Sequence, residues 1–249
     1  TATFKDTRII NGQSNETPAG GVLHFVIAHR FGQISDGAYD LWGLDNASMR
    51  MGFDYGITDR LAVGVARNTF QKTYEASIKA RLLRQSGTVP LSITGFSALA
   101  CNGLRWTEPD RENFFSSRLS YTHQLIIARK FSSKFSAALT PSVVHRNLVT
   151  TPQHAHDEFL IGAGGRYKIT NRVSVNGEYF LRLNPSEAYN NSLSLGVDIE
   201  TGGHVFQLHM TNSRGMFERA FLTETAGKWS DGNIYFGFNL SRVFTVSDR

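Results

Sequence analysis

Apolar and polar residues alternate one for one along most of this chain, and few folds accept that pattern over so much of a sequence. The plainest runs are Met49-Arg50-Met51-Gly52-Phe53-Asp54-Tyr55-Gly56-Ile57, Leu193-Ser194-Leu195-Gly196-Val197-Asp198-Ile199 and Ile234-Tyr235-Phe236-Gly237-Phe238-Asn239-Leu240. A period of two places successive side chains on opposite faces of a strand, so each run has one apolar face and one polar face. Weaker runs of the same kind fill the rest. The alternation predicts strands near 21–31, 47–57, 60–68, 73–83, 89–100, 114–129, 134–145, 158–169, 172–182, 191–200, 203–211 and 233–244.

The connections carry a second rhythm. Short, turn-like links at Gly56-Ile57-Thr58-Asp59-Arg60, Arg84 to Thr88, Lys130-Phe131-Ser132-Ser133-Lys134, Ile169-Thr170-Asn171-Arg172 and Thr201-Gly202-Gly203 alternate with longer ones at 32–46, 101–113, 146–157, 183–190 and 212–232. Asn, Asp and Gly supply the backbone angles that tight turns need. Only 69–72 departs from the rhythm, a short link where a long one is due. Short turns at one end and long loops at the other, with an even strand number, describe a transmembrane up-and-down barrel of about twelve antiparallel strands. The fold class expected is therefore all-β.

Which face looks outward decides between a membrane barrel and a soluble one. Turned inward across about twelve strands, the apolar face would line a lumen too wide for side chains to fill. Turned outward, it meets acyl chains. The expected lipid face is Leu23, Phe25, Ile27, Met49, Met51, Phe53, Leu61, Val63, Val65, Ile78, Leu119, Leu125, Ile127, Leu139, Ile161, Val175, Leu195, Val197, Phe206, Leu208, Phe236 and Phe238. The candidate lumen lining is Arg50, Asp54, Glu75, Lys79, Arg81, Arg118, Arg166, Lys168, Glu178, Arg182 and Asp198. Each of these charges would cost a few kcal/mol in lipid, so they face water or one another, and Arg118 with Glu178 or Arg50 with Asp54 are candidate pairs. Tyr55, Tyr121, Phe135, Tyr167, Tyr179 and Phe244 fall near predicted strand ends, where aromatic girdles sit.

Composition does not separate the two classes. The mean hydropathy of −0.24 looks soluble, but a barrel exposes only alternate residues to lipid. No run reaches the eighteen or so apolar residues of a spanning helix. One cysteine, Cys101, excludes an intramolecular disulfide framework. The net charge of +5 is spread singly along strands, without the patch that nucleic acid requires. Thr1-Ala2-Thr3-Phe4-Lys5 lacks the pattern of a signal peptide, so an exported chain is expected to have lost its signal already.

A search for chemistry finds little. His154-Ala155-His156-Asp157-Glu158 is the one cluster of metal-ligand types, and His154 and His156 would share a strand face; a polar loop is the simpler reading. Ser120 and His123 point to opposite faces, and nothing resembles a nucleophile elbow. Gly162-Ala163-Gly164-Gly165 lies inside a strand with no helix after it, so it cradles no phosphate and instead relieves crowding in the wall. No cofactor and no enzymatic activity are expected. Two segments stand outside the barrel pattern. Residues 1–20 form a polar tail or a lumen plug in which Ile9 and Ile10 need a partner inside, with the barrel proper over 21–249. The loop at 212–232 carries Met216, Phe217, Phe221, Leu222 and Trp229, apolar enough to fold inward, pack on itself or meet a partner.

These stretches carry a resemblance. ATFKDTRIINGQS at 2–14, HRFG at 29–32, GLDNAS at 43–48, YGITDRLAVG at 55–64, LLRQ at 82–85, LIIARKFS at 125–132, VHRN at 144–147, HMTNSRGMFERAF at 209–221 and NIYFGFNLSRVFTV at 233–246 resemble a Bacteroidota β-barrel family known only as a domain of unknown function. The resemblance implies a bacterial outer-membrane barrel and supplies no activity, substrate or catalytic residue. The expected partners are outer-membrane lipid and other outer-membrane proteins. The leading expectation is a non-catalytic scaffold subunit of an outer-membrane complex, because opposite charges in the lumen can pair and seal it. The alternative is a narrow porin-like diffusion channel.

Overall fold

The computed structural model describes residues 2–149, 154–185 and 188–247. Parts of the connections expected at 146–157 and 183–190 thus lie outside the described residues. The described residues form twelve strands: β1 (Val22–Gln33), β2 (Ala47–Gly56), β3 (Leu61–Asn68), β4 (Tyr74–Leu83), β5 (Ser92–Cys101), β6 (Leu119–Lys130), β7 (Phe135–Arg146), β8 (Asp157–Lys168), β9 (Val173–Arg182), β10 (Ser192–Thr201), β11 (His204–Thr211) and β12 (Tyr235–Thr245). Each pairs antiparallel with its sequence neighbours, and β12 returns to pair with β1, from Leu23 opposite Phe244 to Arg30 opposite Gly237. Closure leaves no strand edge with unpaired N–H and C=O groups, the condition a β-structure must meet in lipid.

The alternation resolves as the apolar pattern requires. In β6, Ser120, Thr122, Gln124, Ile126 and Ala128 point inward and are buried, while His123 and Leu125 point outward and are exposed. Met49, Phe53, Val63, Val65, Ile78, Leu139, Ile161, Val175 and Leu195 are likewise exposed on the outer face. Phe135 and Tyr167, paired in register near one rim, and Tyr179 and Phe244 show their rings outward too.

Both termini lie at the end where the connections are short: 57–60, 84–91, 131–134, 169–172 and 202–203. Three of these turns are built alike. Thr58, Ser132 and Thr170 each accept, on the side-chain hydroxyl, the backbone N–H groups two and three residues on. The two-residue turn between β10 and β11 needs positive φ at both positions, and Gly202 (47°) and Gly203 (93°) supply it. At the other end lie 34–46, 69–73, 102–118, 147–156, 183–191 and 212–234. β5 starts at Ser92 rather than 89, after Pro90, which has no N–H to give to a ladder. β6 starts at Leu119 rather than 114, because Phe115–Arg118 close a 3-10 turn first.

The barrel is not hollow. Residues 2–20 run into it from the end that holds the termini. The 212–234 connection folds into it from the opposite end and carries helix α1 (Glu218–Thr223). Phe4 and Ile9 pack with Phe96, Ile126, Ala128 and Ala138 of the inner wall. Phe221 and Leu222 pack with Val144, Leu160 and Phe180. The inward glycines of β8 make room for this filling. A Cβ at Gly164 would stand 2.4 Å from the Ile9 side chain, and one at Gly162 would stand 2.4 Å from the Phe180 ring.

Candidate functional site in the barrel lumen

The N-terminal segment enters as a tight hairpin. Ile9 N donates to Gly12 O at 2.8 Å, Ser14 N donates to Thr7 O at 2.9 Å, and Arg8 bridges Gln13. Its tip presents three backbone donors to one carboxylate: Glu178 of β9 accepts from Ile10 N (3.2 Å), Asn11 N (2.8 Å) and Gly12 N (3.0 Å). Gly12 is required there, since a Cβ would come 2.6 Å from the Phe180 ring. The wall grips the hairpin elsewhere too. Lys79 Nζ donates to Thr7 O (2.8 Å) and Gln13 Oε1 (3.0 Å), Gln207 to Ile9 O (2.6 Å), and Asn239 to Ile10 O (3.1 Å).

Arg30 of β1 joins the two inserts. One guanidinium nitrogen donates to Ser213 O at 2.6 Å, and the other donates to Asn11 Oδ1 at 2.8 Å and meets His209 Nε2 at 2.9 Å. The inserts also touch each other: Glu218 of α1 accepts from Gln13 Nε2 at 2.7 Å and pairs with Arg8 at 2.9 Å. At the long-loop end, Glu158 holds Arg146 on one oxygen (2.7 Å) and Arg182 on the other (2.6 Å). Arg146 continues to Thr223 and lies 3.7 Å from Glu224, tying α1 to the wall. What remains at the centre is a cavity of about 20 Å³, room for about one water.

At the end with the termini, Asp6 of the inserted segment meets His24 Nε2 at 2.8 Å, and Asp54 lies 3.7 Å from the other ring nitrogen. Burial works against the Asp6 charge. Attraction to His24, with hydrogen bonds from His24, Ser241 and the Thr7 backbone, outweighs it and holds the carboxyl at about 2 against an ordinary 3.8. A depressed carboxyl stabilises the folded arrangement in full above its ordinary value and loses that contribution as pH falls through the depressed one. Pepsin cleavage within residues 2–20 is therefore expected to accelerate as pH drops from about 4 to about 2. Asp6→Asn is expected to be cut readily at the upper limit and to change little below it. Identical pH profiles for the two proteins would remove Asp6 from the hold on the hairpin.

Most of the candidate lumen residues lie where the alternation places them, though not in the pairs expected. Arg50 makes a two-pronged contact with Glu75 (2.7–3.0 Å), not with Asp54, which faces His24. Arg81 reaches Glu16 (3.4 Å), Arg166 donates to Ser174 (3.0 Å), and Asp198 accepts from Gln207 (2.6 Å). Lys168 ends β8 at the short-turn rim. Arg118 is a correction. It precedes β6 in the 3-10 turn, donates to the carbonyls of Asn102 and Leu104, and is far from any pairing with Glu178. Of the three alternatives for the 212–232 loop, folding inward is the one its apolar residues take, with Trp229 apart. Met216, Phe217, Phe221 and Leu222 are buried inside the barrel and fill the lumen, whereas Trp229 is half-buried beside Leu195, Met210 and Phe236 of the outer face, its Nε1 donating to Leu193 O. His156 bonds the Arg146 carbonyl at 2.6 Å and the His154 ring lies 6.4 Å from Tyr189, and among the described residues they join no group of three metal-ligating side chains. Ser120 and His123 do face apart; His123 instead bonds Ser97 Oγ across the outer face at 2.9 Å.

His24, Arg30, Arg146 and Glu158 make lumen contacts that sequence reading did not assign them. Their signal was the same alternation: with Leu23, Phe25 and Ile27 outward, His24 and Arg30 must point inward. The hairpin contacts left no such signal, because they join segments up to 229 positions apart.

A family model described as a membrane bound beta barrel domain (DUF5777) matches residues 4–244. No curated protein matches the chain in sequence. Among solved structures, the KdgM porin is similar at 9% identity and a TM-score of 0.54, over 90% of this chain and 99% of that one. The NanC porin is similar at 7% identity and 0.55, over 90% and 98%. An outer membrane channel from Pseudomonas putida F1 is similar at 12% identity and 0.53, over 91% and 96%. At such identities the likeness is one of fold.

Proposed function

We propose, from the premise that this chain belongs to the DUF5777 family of membrane-bound β-barrel domains, that it is a narrow channel of a bacterial outer membrane, closed at rest by its own N-terminal hairpin and β11–β12 connection. The observation that carries this reading is the chemistry of the closure. The wall itself does not constrict; two chain segments occupy a lumen lined by charged and polar side chains, and they are held largely by hydrogen bonds and ion pairs. A permanently filled interior gains nothing from buried charge, since apolar packing of equal volume is as stable or more so. A wall that also meets water when the inserts withdraw needs that charge. The fold shared with the KdgM and NanC porins and with an outer membrane channel supports the channel over the scaffold.

The scaffold reading keeps one observation in its favour: the two inserts fill the centre of the lumen and leave a cavity there of only about 20 Å³. Planar-bilayer recording separates the two. The purified protein is expected to be closed for long periods with brief discrete openings. Arg30→Met is expected to raise the open fraction, because that guanidinium is bonded to both inserts at once. A correctly folded Arg30→Met barrel that stays silent over the same voltages would favour the scaffold.

A further inference from the structure

An arginine and aromatic collar occupies the outer face of the barrel at its long-loop end. Arg67, near the end of β3, lies 4.5 Å from the centre of the Tyr74 ring, and Tyr74 begins β4 opposite Cys101, the last residue of β5. The connection that follows brings the Trp106 ring 3.9 Å from the Arg118 guanidinium, which also donates to two backbone carbonyls. Tyr74, Leu104, Arg105, Trp106, Phe115 and Arg118 line a groove of about 690 Å³ there.

We propose that this groove binds the phosphate-bearing headgroup of an anionic lipid in the leaflet on the long-loop side. Three features converge on that occupant. The first is charge: among the described residues neither Arg67, Arg105 nor Arg118 forms an ion pair, and the acids of the same connection, Glu108, Asp110 and Glu112, are exposed to solvent. The second is geometry. Ring stacking and carbonyl contacts hold two guanidinium planes in place, and a fixed planar fork matches the oxygens of a phosphate. The third is level. The groove lies at the ends of β4 and β5 under the connection that follows, bordered by Arg67 of β3 through its contact with Tyr74. Aromatic and arginine side chains meet headgroups at this level, and Leu104 and Phe115 add an apolar surface for the start of the acyl chains. The site rests on the barrel lying in a membrane and is independent of whether the lumen conducts.

The test uses the full chain in phosphatidylcholine nanodiscs containing a minor fraction of bisphosphorylated lipid A, with lipid retained on the protein counted by native mass spectrometry. Wild type is expected to retain lipid A. Arg105→Gln, which alters no hydrogen bond or ion pair of the fold, is expected to weaken retention about fivefold. Combining it with Arg67→Gln and Arg118→Gln should abolish retention. Arg129→Gln, on the outer face at the opposite end, should leave it unchanged, with heat-modifiable migration showing that each barrel is folded. Equal losses from Arg105→Gln and Arg129→Gln would overturn the proposal in favour of diffuse attraction. Displacement of lipid A by millimolar inorganic phosphate would overturn it in favour of a soluble anion.

Discussion

Removing both inner segments together, by deleting residues 2–16 and replacing 214–226 with a short Gly-Ser link, is expected to leave a barrel that conducts steadily. Removing either alone is expected to leave it mostly closed. The reason is where each segment packs. Phe4 and Ile9 fill the half of the lumen near the termini, against Phe96, Ile126, Ala128 and Ala138. Phe221 and Leu222 fill the half near the long loops, against Val144, Leu160 and Phe180. The two blocks are in series, so one suffices to stop current. They are also coupled through Glu218, which touches Arg8 and Gln13, and through Arg30. A single deletion therefore loosens the remaining insert and should give flickering rather than silence. The emptied wall would present Arg30, Arg50, Lys79, Arg81, Lys130, Arg146, Arg166, Lys168 and Arg182 against Asp54, Glu75, Glu158, Glu178, Asp198 and Glu200, so its cationic groups outnumber its anionic ones. Reversal potentials across a salt gradient should accordingly show a preference for anions. A doubly deleted barrel that folds and carries no current would mean that the wall collapses once its filling is gone, and the channel reading would go with it.

The wall was legible in the sequence because a period of two is a local signal that every strand repeats. The strand limits fall within a few residues of the alternation except at the start of β6, where Phe115–Arg118 turn before pairing begins. The sense of the faces was legible as well, through the cost of placing Arg50, Glu75 or Arg182 in lipid. Pairing was not. Arg50 lies four positions from Asp54 on one strand, yet its carboxylate is Glu75, two strands away and reached across the lumen side of β3. Nor was the interior arrangement. The apolar residues of 212–232 announce that the loop must bury something, but whether it docks outward or folds inward depends on the space left by a hairpin some two hundred residues earlier. Gly162 and Gly164 hold the trace of that arrangement in the wall, and only the position of Ile9 and Phe180 gives it meaning.

Glu158→Gln is expected to be among the most destabilising single substitutions in the chain, at about 3–5 kcal/mol, because it leaves two buried guanidiniums without their shared carboxylate. Arg146 and Arg182 each take one of its oxygens, and all three side chains are under a tenth exposed. Urea unfolding of the detergent-folded barrel measures the loss. Asp157→Asn, one residue away on the exposed face, should cost less than about 1 kcal/mol. The informative comparison is the triple change Glu158→Leu, Arg146→Met and Arg182→Met. Replacing a whole buried ion cluster by apolar groups of similar volume is often neutral or stabilising, so this barrel should recover most of the lost stability. It would not recover the contacts from Arg146 to Thr223 and Glu224, which hold α1 against the wall. The triple variant is thus expected to come close to wild type in stability and to open more often. If it is stable and as closed as wild type, the charges of this cluster have no part in holding the loop. If it is as unstable as Glu158→Gln, the cluster serves the fold itself, and the case for a wall kept polar in order to meet water loses its main physical support.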